Sequence, residues 1–264
     1  MITALMAART VAILYGTKGG MGDVGKFAVM QALKTPGLTV RPVALSMEAE
    51  EGEDNGVLVD FDKCPKTKHR CPADVDDADA RAKLKASFDG IEIQKMDIAA
   101  DSTQSKLEKT FEGVDAIVMC TGNRQPGMAR WCTLAAEKVI AASNAKGVKR
   151  VVVLSSMGIG DDYLPISFIK CLWWCMLQTM VRSAKNDLIA MESAIMASDC
   201  DFLIVRPMGI DPSEKATGKW KLVQNRGEGG LPITVSKEDV AAFMLSEALT
   251  PSIHKKAVTI GKDS

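Results

Sequence analysis

The chain has 264 residues, with 33 basic and 33 acidic side chains and 47% hydrophobic residues. This composition excludes a mainly disordered chain, a collagen and a disulfide-stapled mini-protein, and the zero formal net charge argues against a dedicated nucleic-acid binder, which carries a basic excess. The 7 cysteines, an odd number scattered along the chain, point to reduced thiols in a reducing compartment: cytoplasmic, or an organelle stroma if a leader has been removed.

Short β-branched runs alternate with longer helix-like stretches. Strands are predicted at 11–15, 38–45, 91–95, 116–120, 150–154, 202–205 and 257–260, and helices at 23–34, 102–111, 128–146, 167–197 and 237–249. The residues ahead of the first strand are too few for a secretory signal or transit peptide. Strands alternating with helices imply parallel pairing through right-handed crossovers. The runs 151–154 and 203–205 are continuously apolar, as strands covered on both faces must be. The expected fold class is therefore α/β: a single doubly wound, Rossmann-like parallel sheet with helices on both faces. One domain spans residues 1–264, and ligands bind at the carboxyl ends of its strands.

Two segments stand apart from the alternation. Residues 46–80 are rich in Glu, Asp, Gly and Pro and read as a surface excursion after the second strand. The excursion holds Cys64, His69 and Cys71, but no fourth ligand is evident and the spacing matches no common zinc finger, so a solvated loop is favoured and no metal is expected. The apolar run 164–181 contains Lys170 and Gln178 and reads as a buried or lid-forming helix, or a surface for a protein partner or second copy, rather than a membrane span. Phe168, Trp173 and Trp174 within it suit either a ring-stacking wall or core and subunit packing, the latter being favoured.

The first strand runs into a ladder of glycines, Gly16, Gly19, Gly22 and Gly25, with Gly20 beside Gly19. A strand that turns sharply into a helix while bringing bare backbone amides up to a pyrophosphate needs residues without a Cβ. The ladder fits two registers, Gly16/Gly19/Gly22 and Gly19/Gly22/Gly25. The second gives the usual helix length before the next strand and is preferred. Lys18 is not a P-loop lysine, because the Gly-Lys-Ser/Thr ending is absent.

Several further segments resemble, in order and spacing, an atypical short-chain dehydrogenase/reductase of the NAD(P)-binding, NmrA-like group, which includes flavin and biliverdin reductases. These are the turn from Gly19 to Gly25 with Asp23 and Val24, then Met96-Asp97-Ile98, Gly113-Val114-Asp115-Ala116, and Cys120-Thr121-Gly122. Later come the run from Gly147 to Gly158 with Ser155 and Ser156, then Arg206-Pro207-Met208-Gly209, and Ser236-Lys237-Glu238-Asp239-Val240-Ala241. The resemblance implies that Gly16, Gly19, Gly22, Asp23, Val24, Gly25, Ser46, Asp97, Ile98, Thr121, Gly122, Ser155, Pro207 and Met208 lie along the dinucleotide. Ser156, at the end of the fifth strand near the expected nicotinamide, is the candidate to hydrogen-bond a substrate oxygen; the alternative is a strand-end serine that satisfies local backbone.

Counting back from Glu192, the places of the tyrosine and lysine that many short-chain reductases use hold Ala184 and Leu188. A carbonyl reduced to an alkoxide needs a proton donor at that moment, whereas a flavin, quinone or tetrapyrrole spreads the added charge over its rings. The expected function is NAD(P)H-dependent hydride transfer to such a planar acceptor. The rival is a non-catalytic dinucleotide-binding sensor or assembly subunit. Ser46 ends the second strand and can bind either a ribose hydroxyl or a phosphate; the resemblance to the group implies NADP, with NAD as the alternative.

Overall fold

The computed structural model describes residues 9–16, 20–46, 91–122, 130–159, 182–211, 214–223 and 234–263, together with 79, 82 and 86. In chain order these form β1 (Arg9–Gly16), α1 (Gly20–Leu33), β2 (Leu38–Ser46), β3 (Gln94–Asp97), α2 (Thr103–Thr110), β4 (Ala116–Cys120), α3 (Trp131–Lys146) and β5 (Arg150–Leu154). There follow α4 (Arg182–Met196), β6 (Asp201–Pro207), β7 (Ile210–Asp211), β8 (Trp220–Val223), β9 (Val235–Ser236), α5 (Lys237–Leu249) and β10 (Lys256–Lys262).

Eight strands make one sheet in the order β3-β2-β1-β4-β5-β6-β10-β8. Every pair is parallel except β10–β8, which is antiparallel and forms one edge. The order reverses between β1 and β4, so this is a doubly wound sheet with its switch point there. Both β4 and β5 are buried at every residue, which is why their sequences show apolar runs rather than alternation. One face is covered by α1 and α5 through Phe27, Val29, Val240, Phe243 and Met244. The other is covered by α2, α3 and α4 through Leu107, Phe111, Ala135, Val139, Met191 and Ile195.

The predicted β4, β5 and α5 have the observed bounds. The third strand, predicted at 91–95, lies at Gln94–Asp97, because β2 offers it partners only from Val43 onward. Pro42, one residue earlier, has no amide hydrogen to extend that ladder. The first helix begins at Gly20, inside the glycine ladder, rather than at Asp23. The short strands β7, β8 and β9 were not expected; each has 4 residues or fewer, too short to show a period. Of the helix predicted at 167–197, α4 is the described part. The apolar run 164–181, with Phe168, Trp173 and Trp174, lies outside the described residues, as do Cys64, His69 and Cys71. Among the described residues no helix is long and apolar enough to cross a membrane.

The end of the sheet at which β5 and β6 begin is held by a buried ionic network. Arg150 Nη2 lies 3.1 Å from Glu247 Oε2, its Nη1 lies 3.3 Å from Asp201 Oδ2, and its Nε donates to the Glu247 carbonyl at 3.1 Å. Burial pulls the Arg150 guanidinium below its ordinary range, opposed by the charges of Asp201 and Glu247.

Candidate cofactor-binding site

Because the strands are parallel, their carboxyl ends meet on one edge. There the structure gathers Gly16 from β1, Ser46 from β2, Asp97 from β3, Thr121 and Gly122 after β4, Ser155 and Ser156 after β5, Pro207 at the end of β6 and Met208 after it. Ser46 and Asp97 are register partners on β2 and β3, and Gly16 is the partner of Leu45.

The N-terminus of α1 rises from this edge. Gly19 lies outside the described residues; Gly20 and Gly22 have helical backbone in the first turn with Asp23. The first amides of a helix have no intrahelical acceptor, and the aligned peptide dipoles make this end positive. Gly25 has a different task. A Cβ there would lie 2.5 Å from Tyr15 Cβ and 3.0 Å from Cys120 Cβ, so only glycine lets α1 pack this closely on β1 and β4. Gly16 is likewise fixed by packing, since its Cβ would lie 2.8 Å from the Trp131 ring. Close helix–strand packing is the role of the third glycine in a dinucleotide-binding turn, which favours the Gly19/Gly22/Gly25 register. The Val24 side chain is fully buried in the core, so at this residue only backbone is available to a ligand. Asp23 Oδ2 accepts a hydrogen bond of 2.6 Å from Lys237 Nζ, the first residue of α5.

On the β2–β3 side, the Ile98 amide donates to the Ser46 carbonyl at 2.8 Å, and the Ile98 side chain is fully buried. Asp97 Oδ1 accepts from the Ala99 amide at 2.9 Å, and the Asp97 carbonyl accepts from the Thr103 hydroxyl. Arg41 does not reach the edge; its Nη1 donates to the carbonyls of Thr110 and Glu112 at 2.5 and 2.6 Å.

At the centre, Cys120 closes β4 directly beneath α1, and burial pushes its thiol far above its ordinary value, leaving it protonated and inert. Next to it, Thr121 is fully buried and its Oγ1 has no hydrogen-bond partner among the described residues. A buried hydroxyl without a partner is costly and marks a place where a ligand can complete the bonding.

The two serines after β5 differ. Ser155 is buried and donates to Glu192 Oε1 at 2.5 Å. Glu192, on α4, also receives a bidentate fork from Arg206, with Nε at 3.0 Å and Nη2 at 2.6 Å. Ser155 is thus part of a buried Ser–Glu–Arg lock joining β5, α4 and β6. Ser156 is only half-buried, and its hydroxyl makes no hydrogen bond to a described residue. The Met208 amide donates to the Ile260 carbonyl at 2.9 Å and the Pro207 carbonyl accepts from Met157 at 3.2 Å, which fixes the β6 end as a rigid wall.

Sequence reasoning missed Asp187. This buried carboxylate on α4 accepts from the amides of Cys132 and Thr133 at 2.8 and 3.0 Å and from the Thr133 hydroxyl at 2.6 Å, capping α3 from another helix. Nothing local distinguishes it from a solvated aspartate. Lys237 was quoted only as part of a motif. Its signal was a lysine at the first position of a helix, where the dipole disfavours a cation.

Amides at the α1 terminus, the Thr121 hydroxyl with no partner among the described residues and the row of strand ends suit a long, polar, anionic ligand. The profile described as NAD(P)H-binding matches residues 64–251. A curated relative, UPF0659 protein YMR090W of Saccharomyces cerevisiae, is 25% identical over 179 residues, 65% of this chain and 72% of that protein. Among solved structures, the anaerobilin reductase ChuY from Escherichia coli O157:H7 is similar with a TM-score of 0.60 at 21% identity, covering 97% of this chain and 98% of that one. A short-chain dehydrogenase/reductase from Veillonella parvula in complex with NADP aligns with a TM-score of 0.62 at 13% identity, covering 97% and 95%. At such identities the structural likenesses show the fold alone, while the profile spans well over half of the chain. The chain belongs to the NAD(P)H-binding family, with that family's cofactor class, on a Rossmann-like fold.

Proposed function

We propose that the protein is an NAD(P)H-dependent reductase that passes hydride to a planar conjugated acceptor of the flavin, quinone or tetrapyrrole class. The α1 terminus with Gly20 and Gly22 would hold the pyrophosphate, Ser46, Asp97 and Ile98 the adenosine, and Thr121, Gly122, Ser156, Pro207 and Met208 the nicotinamide half. A bound reduced nicotinamide supplies hydride.

The chain's own residues position and exclude. Thr121 Oγ1 gives a buried hydrogen bond at the switch point, and the β6 end supplies a wall for the ring. Ser156 offers its hydroxyl to a polar atom of the acceptor. Ser155 is committed to Glu192 and holds the floor of the pocket in shape.

One observation carries the acceptor class. On α4 the places of an acid–base pair hold Ala184 and Leu188, and Leu188 is buried in the hydrophobic core between α4 and the sheet. Neither of these two residues is a proton donor, which supports an acceptor that tolerates added charge until solvent delivers a proton. It gains two electrons and one proton as hydride and a second proton from water. The similarity to a structure named as an anaerobilin reductase supports a tetrapyrrole as one member of that class. NADP is preferred over NAD because β2 ends in Ser46, which can bond a phosphate, rather than in a carboxylate that would repel it.

The test is titration of NADPH fluorescence followed by NADPH oxidation with a flavin, a quinone, biliverdin and a simple ketone. Saturable binding with turnover on one of the conjugated acceptors and none on the ketone is expected. Tight binding without turnover on any acceptor would instead establish a dinucleotide sensor or assembly subunit, and turnover on the ketone would remove the acceptor class.

A further inference from the structure

We infer that Lys237 is a positioning residue for the dinucleotide, acting by cancelling the charge of Asp23 at the mouth of the phosphate site. This rests on the placement of the pyrophosphate at the α1 terminus given above.

Asp23 lies in the first turn of α1, a position where a carboxylate stabilises an empty helix end. The same carboxylate is a like charge to a ligand carrying two phosphates. Its side chain is 35% exposed, so solvent screens it only in part. An uncompensated anion here would oppose the very ligand that the terminus attracts.

Lys237 answers this from a distant part of the chain. It is the first residue of α5, with a side chain only 6% exposed and an ammonium 2.6 Å from Asp23 Oδ2. Among the described residues Asp23 is its one polar partner. Two features show that the ammonium is placed there at a cost. A cation at a helix N-terminus opposes the dipole of its own helix, and a buried lysine loses its hydration. The backbone beside Lys237 is clamped further along α1, where Gln31 Nε2 donates to the Glu238 carbonyl at 3.0 Å. From that anchor the side chain runs back along α1 toward the strand-end edge and delivers its charge beside the first turn.

Lys237 and Asp23 thus form a neutral pair that holds α1 against α5 without spoiling the positive helix end. Removing the lysine alone leaves a bare carboxylate next to the phosphates. Removing both charges restores neutrality.

The experiment measures the NADPH dissociation constant by fluorescence titration at low and high salt for the unaltered protein, Lys237→Met, Asp23→Asn and the double variant, with thermal melts of each. Lys237→Met is expected to bind about tenfold more weakly at low salt, with the difference shrinking as salt rises. The double variant is expected to recover to within about threefold of the unaltered protein, and Asp23→Asn to bind at least as tightly. A merely structural link would show neither the rescue nor the salt dependence. Unchanged affinity in Lys237→Met, a double variant as weak as the single one, or weakened binding in Asp23→Asn would each overturn the inference. Should Lys237→Met fail to fold, Asp23→Asn and the neutral pair still decide it. Absence of saturable binding by the unaltered protein would remove the dinucleotide site itself and this inference with it, whereas saturable binding that ignores Lys237 removes the inference alone.

Discussion

Gly25 and Tyr15 touch so closely that a methyl group on the glycine would lie 2.5 Å from Tyr15 Cβ. The obstacle is the root of a strand side chain, which cannot swing away, and the Cys120 Cβ closes the other side at 3.0 Å. Gly25→Ala should therefore lower stability by about 3 kcal/mol through overpacking, read by urea unfolding. Gly22→Val makes the contrast. It should leave the melting temperature within a few degrees and reduce NADPH affinity by more than about tenfold, because it crowds backbone that a phosphate would approach on the proposed placement. Equal affinity in Gly22→Val and the unaltered protein would count against the preferred register.

The buried network at the other end of the sheet gives a purely structural prediction. Arg150→Met leaves Glu247 buried with its cationic partner gone and costs about 3–5 kcal/mol. Arg150 lies at the start of β5, remote from the strand-end edge, so NADPH affinity of the surviving folded fraction should be unchanged. A stable Arg150→Met protein in equilibrium denaturation would contradict the role assigned to the network.

The Cys120 thiol predicts an alkaline weakness. In the unfolded chain the thiol ionises above its ordinary value of 9.0, while in the fold burial holds it protonated far beyond that. The unfolded state then binds fewer protons than the folded one, so stability is full below pH 9 and falls as pH rises, by about 1.4 kcal/mol per pH unit from this group. Cys120→Ala should remove that slope whatever it does to the absolute stability. Unfolding curves for both proteins between pH 8 and 10.5 measure the difference.

The adjacent serines should separate cleanly. Ser155→Ala withdraws one hydrogen bond from a buried carboxylate and should cost about 1–3 kcal/mol of stability with little change in turnover per folded molecule. Ser156→Ala should leave stability and NADPH affinity in place and slow acceptor reduction by about tenfold or more. Stopped-flow oxidation of pre-bound NADPH distinguishes the two, and the reversed pattern would reassign the serines.

How far the sequence disclosed all this depended on the range of each interaction. The strands β4 and β5 were legible because burial on both faces writes a continuous apolar run, and α5 because Ser236 caps Asp239 within one turn. The topology those elements imply placed a ligand at the carboxyl ends of the strands, while the individual residues along that edge came from the family resemblance. Pairings across long separations left no local mark. Glu192 could be located from its surroundings, yet its fork with Arg206 emerged only when α4 packed beside β6. The purpose of Gly16 was equally hidden, since the ring that demands it belongs to Trp131, far along the chain. The sequence made the ladder look like a uniform phosphate cradle; the structure divides it, with two rungs serving packing.

The Asp187 cap has a wider consequence for traffic at this edge. Helix α3 also begins beside the strand ends, and its opening amides would attract any polyanion. Asp187 already satisfies Cys132 and Thr133, and at α5 the Ser236 hydroxyl satisfies Asp239. The molecule thus carries its own resident stand-ins at those competing termini. On the proposed placement these stand-ins leave α1 as the open terminus for an arriving diphosphate, which would set the direction of an extended dinucleotide before any base or ring is recognised.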